Sequence, residues 1–236
     1  MNTAPIFIAN QRANDIQFAA AGAKVQCLWQ AGPNGSRLQA SYATQDDTTT
    51  SVMQFYRGVV LTDNGRPMPI APFPGMAGWS AQLNSQMPTP VLALTNTTIT
   101  RTNGSFIADG WNVGMLCGVI GCADNIQNQV IPSHVTTVAA GTLTFTGAVF
   151  TAAATPSPMT QLVRCTPMWN VSMINGAGVT SAVAQINMLS TAVGTSLLAA
   201  PDGFITLGPN ELLLVYCTTL PAANKCITVS AHGGDY

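Results

Sequence analysis

Glu211-Leu212-Leu213-Leu214-Val215-Tyr216-Cys217-Thr218-Thr219-Leu220-Pro221-Ala222-Ala223-Asn224-Lys225-Cys226-Ile227-Thr228-Val229-Ser230-Ala231 holds the clearest strand signal in the chain. Two runs of aliphatic, β-branched and aromatic residues, 211–218 and 226–231, flank a break centred on Pro221 and Ala222. Such runs suit a pleated, half-buried surface, and proline with small and polar residues suits a turn. Read locally, the pair is a hairpin. In that register Cys217 and Cys226 face one another at bridging distance, so a disulfide between them is one expectation. The alternative is two reduced thiols serving as small hydrophobes, the usual state in a reducing compartment.

The same pattern extends through the rest of the chain. Strand-like runs are expected at 6–9, 24–30, 37–44, 51–61, 97–102, 115–120, 142–146, 160–165 and 169–174. Between them lie turn formers such as Gly32-Pro33-Asn34-Gly35, Asn103-Gly104 and Gly208-Pro209-Asn210. Residues 181–200 allow either period, but 181–189 echoes the 50–55 stretch and is read as a strand. Long solvent-facing helices rely on Glu, Lys and Arg; the chain has one glutamate, Glu211, and two lysines, Lys24 and Lys225. The expected class is all-β.

Composition also bounds function. Charged residues make up 7% of the chain and hydrophobic ones 47%, with a formal net charge of −1. Ordinary domains carry about a quarter charged residues, which keep a freely diffusing surface soluble. A chain covered by Thr, Ser, Asn and Gln instead is suited to lying against neighbours. The eight basic residues stand singly along the chain, which argues against nucleic acid, whose phosphates need clustered cations. No apolar run reaches the roughly 20 residues of a spanning helix. The first residues lack a basic and an apolar signal region, so synthesis and folding in the cytoplasm are expected.

Site chemistry is sparse. No Cys-x-x-Cys spacing occurs and only His134 and His232 could add imidazole, so neither a metal nor a cofactor is expected. Cys226 and His232 lie six residues apart on an extended run, roughly 20 Å, which is too far for a catalytic dyad. No catalytic residue is assigned, and the chain is not read as an enzyme. Asp46-Asp47 and Asp63-Asn64-Gly65 lack the alternating oxygen ligands of a calcium loop and read as turns. Cys117 and Cys122 form a second local thiol pair. Trp29, Trp79, Trp111 and Trp169 suit core or interface anchoring, with sugar stacking the rarer use.

Two breaks divide the chain. Residues 64–90 hold Pro67, Pro69, Pro72, Pro74, Pro88 and Pro90, and Ala152-Ala153-Ala154-Thr155-Pro156-Ser157-Pro158 forms the second. The expected organisation is a discontinuous β-sandwich, 1–90 and 155–236, interrupted by a smaller β-domain at 91–154.

The run Leu207-Gly208-Pro209-Asn210-Glu211-Leu212-Leu213-Leu214-Val215, with the later Ile227 to Ala231 strand and His232-Gly233-Gly234-Asp235-Tyr236, resembles small virion proteins of tailed bacteriophages. Gln30-Ala31-Gly32-Pro33-Asn34-Gly35-Ser36-Arg37 matches the turn found in the N-terminal half of that family. The likeness spans roughly residues 1–62 and 160–236. Within the insert, Thr98-Ile99-Thr100-Arg101, Gly104-Ser105-Phe106, Asp109-Gly110-Trp111 and Val113-Gly114 resemble a small β-barrel module of phage head and tail proteins. Met115 and Leu116 stand where that module is usually polar or charged.

The resemblance implies a jelly-roll-like sandwich with an inserted small barrel, acting as a capsid decoration or cement protein. The implied partners are the phage major capsid protein and further copies of the chain, as a dimer or trimer. The implied location is the capsid surface. Met115, Leu116, Trp79 and Trp111 are the candidate interface residues. A tail or collar component is the alternative, as is a glycan- or receptor-binding head fibre using Trp79 or Trp111.

Overall fold

The computed structural model describes residues 10–59, 92–102, 104–120, 128, 130–131, 134–147, 149–151, 160–173, 182–186 and 205–236. The expected strand at 6–9, the proline-rich stretch, the 152–158 break, Trp79 and Cys122 lie outside them.

Period-two alternation builds the first sheet. In β1 (Asn10–Ala19), Asn14, Ile16 and Phe18 are buried while Ala13, Asp15 and Gln17 are exposed. In β14 (Cys226–Asp235), Ile227, Val229 and Ala231 point inward between half-exposed Thr228 and Ser230. β3 (Ser36–Gln45) follows the same logic with Leu38, Ser41 and Ala43. The sheet runs β1-β14-β3-β11, with β11 (Ala182–Ile186) and β12 (Ile205–Leu207) both pairing with β3. One face of this sheet is core and the other is open.

The second sheet differs because one of its interior strands is apolar on both sides. Leu212, Leu213, Leu214 and Val215 of β13 (Leu212–Cys217) are all fully buried. β13 sits between β2 (Val25–Gln30) and β4 (Ser51–Val59), and β10 (Gln161–Met173) and β7 (Leu116–Ile120) continue the sheet. Leu213, Val215 and Cys217 face the sandwich core with Phe18, Trp29, Met53, Phe55 and Met173. Leu212 and Leu214 face the other way, into a cluster with Val25, Cys27, Val163, Cys165, Ile120 and Ile131.

β1 to β4 alternate between the sheets, and so do β10, β11, β13 and β14. The facing orders β1-β14-β3-β11 and β2-β13-β4-β10 are those of a jelly roll, two interlocked Greek keys. The hairpin expected at 211–231 is therefore corrected. β13 and β14 belong to opposite sheets, and 218–225 crosses between them. Asp47 Oδ2 accepts Ala222 N at 2.6 Å, Asp46 Oδ1 accepts Cys226 N at 2.7 Å, and Ser51 Oγ donates to Thr219 O at 2.9 Å. These bonds tie the crossing to the β3–β4 turn. Cys217 and Cys226 are both free thiols, as is Cys117.

The two strands expected at 160–165 and 169–174 are one, β10. A register shift between Pro167 and Trp169 lets the strand pass its proline while it stays paired with β4. The proline falls beyond the β7 pairing, which spans Gln161 to Cys165, so its missing N–H breaks no bond on that side.

Between β4 and β10 the chain forms the insert. β5 (Leu92–Leu94), β6 (Thr98–Arg101), β9 (Thr142–Phe145) and β8 (Val135–Ala139) make a four-stranded antiparallel half-barrel. Its core joins Leu94, Ile99, Phe106, Trp111, Leu143 and Phe145 to Cys117 and Val119 of β7 and to Val59 and Leu162 of the sandwich. The insert and the sandwich thus share β7 and a continuous apolar layer.

Candidate docking surfaces

The 30–37 turn and the 232–236 end of the chain meet at one end of the sandwich. Asp235 pairs in register with Ser36, and Gly233 with Leu38. The Asp235 carboxylate accepts bonds from Arg12 Nη2 at 3.1 Å, from Gly32 N at 3.3 Å and from Ser36 Oγ. Tyr236 N donates to Gly35 O at 3.1 Å, and Asn34 Nδ2 to Tyr236 O at 3.3 Å. Gly35 has φ +92°, and a Cβ there would lie 2.7 Å from Leu207 O, so glycine is required. Arg12 also lies 4.3 Å from the Trp29 ring centroid and donates to Gln30 O. Burial holds its pKa below the ordinary arginine value, and the Asp235 carboxylate offsets part of that. These residues are bonded to each other and present little to a ligand. They form a structural clasp.

Glu211 plays a similar part nearby. Its Oε2 accepts Gly208 N at 2.7 Å and lies 3.4 Å from Arg57 Nε, while Arg57 Nη2 donates to Thr206 O at 3.0 Å. In the insert, Arg101 pairs with Asp109 under Phe106, and both side chains of that ion pair are mostly buried. Among the described charged residues, only Asp15 and Lys225 are exposed, the others being buried or half-buried.

The sequence-based interface residues divide. Trp111 is 3% exposed and belongs to the insert core, so it is removed from the candidates. Its flat ring fills the space under the half-barrel, where burial gains more than a rim position would. Met115 is half-buried on the same cluster, and Leu116 is half-buried beside Tyr56 and Tyr216 on the outer side of the β13 sheet. Trp79 lies outside the described residues.

Four of the described thiols are buried. Burial pushes Cys27 and Cys165 up to about 12 and Cys217 to about 11, and raises Cys117 as well. Thiols held so far from the thiolate form are poor nucleophiles and metal ligands. Among the described residues no cluster of three metal-binding side chains occurs, and no helix is long and apolar enough to cross a membrane.

Two surfaces remain. The outer face of the β1-β14-β3 sheet carries register rows Gln17–Thr228–Thr44, Asp15–Ser230–Tyr42 and Ala13–His232–Ala40. Tyr42 and His232 meet edge to face at 5.7 Å. Asp15 carries the one carboxylate in these rows. The second surface is the insert loop carrying Ile107 and Val113, the exposed large hydrophobics among the described residues. Sequence reading passes over both surfaces. A single Ile or Val between polar residues carries no periodic signal, and the rows of a sheet face appear only once register is known. No family model, no curated protein and no solved structure matches the chain.

Proposed function

We propose that this chain is a virion structural protein of a tailed phage, one that decorates or cements the capsid by lying permanently on the major capsid protein and bridging its subunits. The observation that carries this reading is the chain's low charge, 7% of its residues, with Arg12, Asp235, Glu211 and Asp47 among the described residues turned into clasps and loop anchors. A neutral surface loses no charge solvation when it docks, and its contact is insensitive to salt. The jelly roll supports the reading only as a frame, because one fold serves many roles. Association of copies about a symmetry axis, as a dimer or trimer, belongs to the same proposal.

The glycan-binding alternative has lost Trp111 to the core but gains half-buried Tyr42 and exposed His232, which meet edge to face on the outer sheet face. A collar or tail position is the other alternative. Quantitative mass spectrometry of purified particles separates these readings. A copy number on the order of the major capsid protein's supports decoration, a single ring's worth supports the collar or tail, and absence from particles overturns the proposal.

A further inference from the structure

We infer that the Asn34–Gly35 peptide is a latent modification site: Asn34 deamidates when the sandwich clasp opens, and the product keeps the clasp from closing again. Glycine has no Cβ to shield its amide nitrogen, so that nitrogen can reach the side chain of the asparagine before it. Gly35 N gives its proton to solvent hydroxide and attacks Asn34 Cγ. The N–Cγ bond forms, the Cγ–Nδ2 bond breaks, and Nδ2 leaves as ammonia, taking a proton from water. Water then adds to the cyclic imide at either of its carbonyls. The product is aspartate or, where the main chain now runs through Cγ, isoaspartate. Water is the one co-reactant.

In the closed clasp both reacting groups are engaged elsewhere. Gly35 is buried, and its N–H donates to Gly32 O at 3.0 Å, closing the 32–35 turn. Asn34 is exposed, and its Nδ2 donates to Tyr236 O at 3.3 Å. Gly35 O accepts from Tyr236 N at 3.1 Å, and Leu207 O lies 2.7 Å from where a Gly35 Cβ would stand. The Asp235 carboxylate holds the residues on either side of the pair, Gly32 through its N–H and Ser36 through its hydroxyl. Gly35 N must therefore leave Gly32 O and meet water before it can turn onto Asn34 Cγ. The native rate is then the rate of the open turn multiplied by the fraction of time the turn is open.

The product does not fit the closed turn. Isoaspartate lengthens the main chain by one carbon just before Gly35, so its N–H cannot meet Gly32 O while its carbonyl meets Tyr236 N. Either product places a carboxylate where Asn34 offered Tyr236 O an N–H, and adds a second negative group to a turn already held by Asp235. The pair thus records clasp opening irreversibly, whatever the protein docks on. The chain holds three other Asn-Gly pairs, Asn64–Gly65, Asn103–Gly104 and Asn175–Gly176, whose reaction in the unfolded chain calibrates the intrinsic rate.

The test is ageing of the full chain at mildly alkaline pH, native and in concentrated urea, with peptide mapping by mass spectrometry for conversion at Asn34. Wild type is expected to convert at Asn34 at least about tenfold more slowly when native than in urea. Asp235→Ala, kept under folding conditions, should recover much of the unfolded rate. Ser36→Ala removes a single bond of the clasp and decides the matter where Asp235→Ala does not fold. Native protein enriched in isoaspartate at position 34 should melt below fresh protein. Conversion of native wild type at the urea rate would overturn the inference. So would an unchanged rate in a folded clasp variant that melts lower than wild type, or an unchanged melt of the converted protein.

Discussion

Replacing Asp235 by alanine removes the acceptor at the centre of the sandwich clasp. Three donors lose their partner: the Arg12 guanidinium, the Gly32 amide and the Ser36 hydroxyl. Ser36 is 0% exposed, so water does not replace the lost bond there, and the side chains of Arg12 and Asp235 are each 18% exposed. Orphaning a buried neutral donor costs about 1–3 kcal/mol, and breaking a buried ion pair about 3–5. Arg12 keeps its bond to Gln30 O and some solvent, and the Gly32 bond is long at 3.3 Å, which brings the total below the sum of the separate costs. We expect Asp235→Ala to cost about 3 kcal/mol, lowering the melting temperature by about 6–12 °C for a chain of this size. Urea unfolding should show a lower midpoint with an unchanged slope. Asp235→Asn keeps the shape and one acceptor and should cost about half as much. Arg12→Met combined with Asp235→Ala should cost less than the sum of the single changes, since no guanidinium is then left unpaired. A variant melting within about 1 °C of wild type, or strict additivity, would refute the clasp.

Three further outcomes follow from the same structure. Gly233→Ala should destabilise by about 2–3 kcal/mol in chemical unfolding, because its Cβ would sit 2.8 Å from Leu38 Cα and closer still to the Arg37 carbonyl, both backbone atoms of a paired strand; unchanged stability would contradict that packing. The Ala222 N–H, first among several donors, holds the Asp47 carboxyl below its ordinary value of 3.8. A depressed folded value means that its contribution is intact above the ordinary value and lost as pH falls through the folded one, so Asp47→Asn should flatten the stability curve as pH falls below that ordinary value. Alkylation of the native protein near pH 8 followed by peptide mapping should label Cys226 while Cys27, Cys117, Cys165 and Cys217 react only after unfolding; a Cys217–Cys226 linked peptide would contradict the crossing between sheets.

Much of the sandwich was legible where side chains alternate or run apolar. β2, β3, β4, β13 and β14 lie close to their expected positions, and β11 lies within the strand read at 181–189. β1 was missed because Arg12 and Asn14 occupy inward positions, so its period-two signal shrinks to Ile16 and Phe18. Arg12 is tolerated there because it joins the clasp. β10 was split because proline usually ends a strand, and only register reveals the bulge that carries it through. The hairpin error has a readable cause. Residues 212–215 are continuously apolar, the mark of a strand buried on both faces, whereas 227–231 alternates, the mark of a strand with one open face. Strands so different belong to different sheets, a contrast that local turn chemistry overrode. The candidate surfaces were less legible. Trp111 looked like an anchor by residue type, while its neighbours Ile107 and Val113 became candidates only once burial was known.

The central claim is that a chain with so little charge is built to dock permanently through a neutral contact. Particles carrying the protein, washed in salt from about 0.1 M to about 1 M and then sedimented, test it most directly. The account predicts that the bound fraction stays constant across the series. Progressive release as salt rises, or recovery of the chain solely as a free monomer, would contradict it.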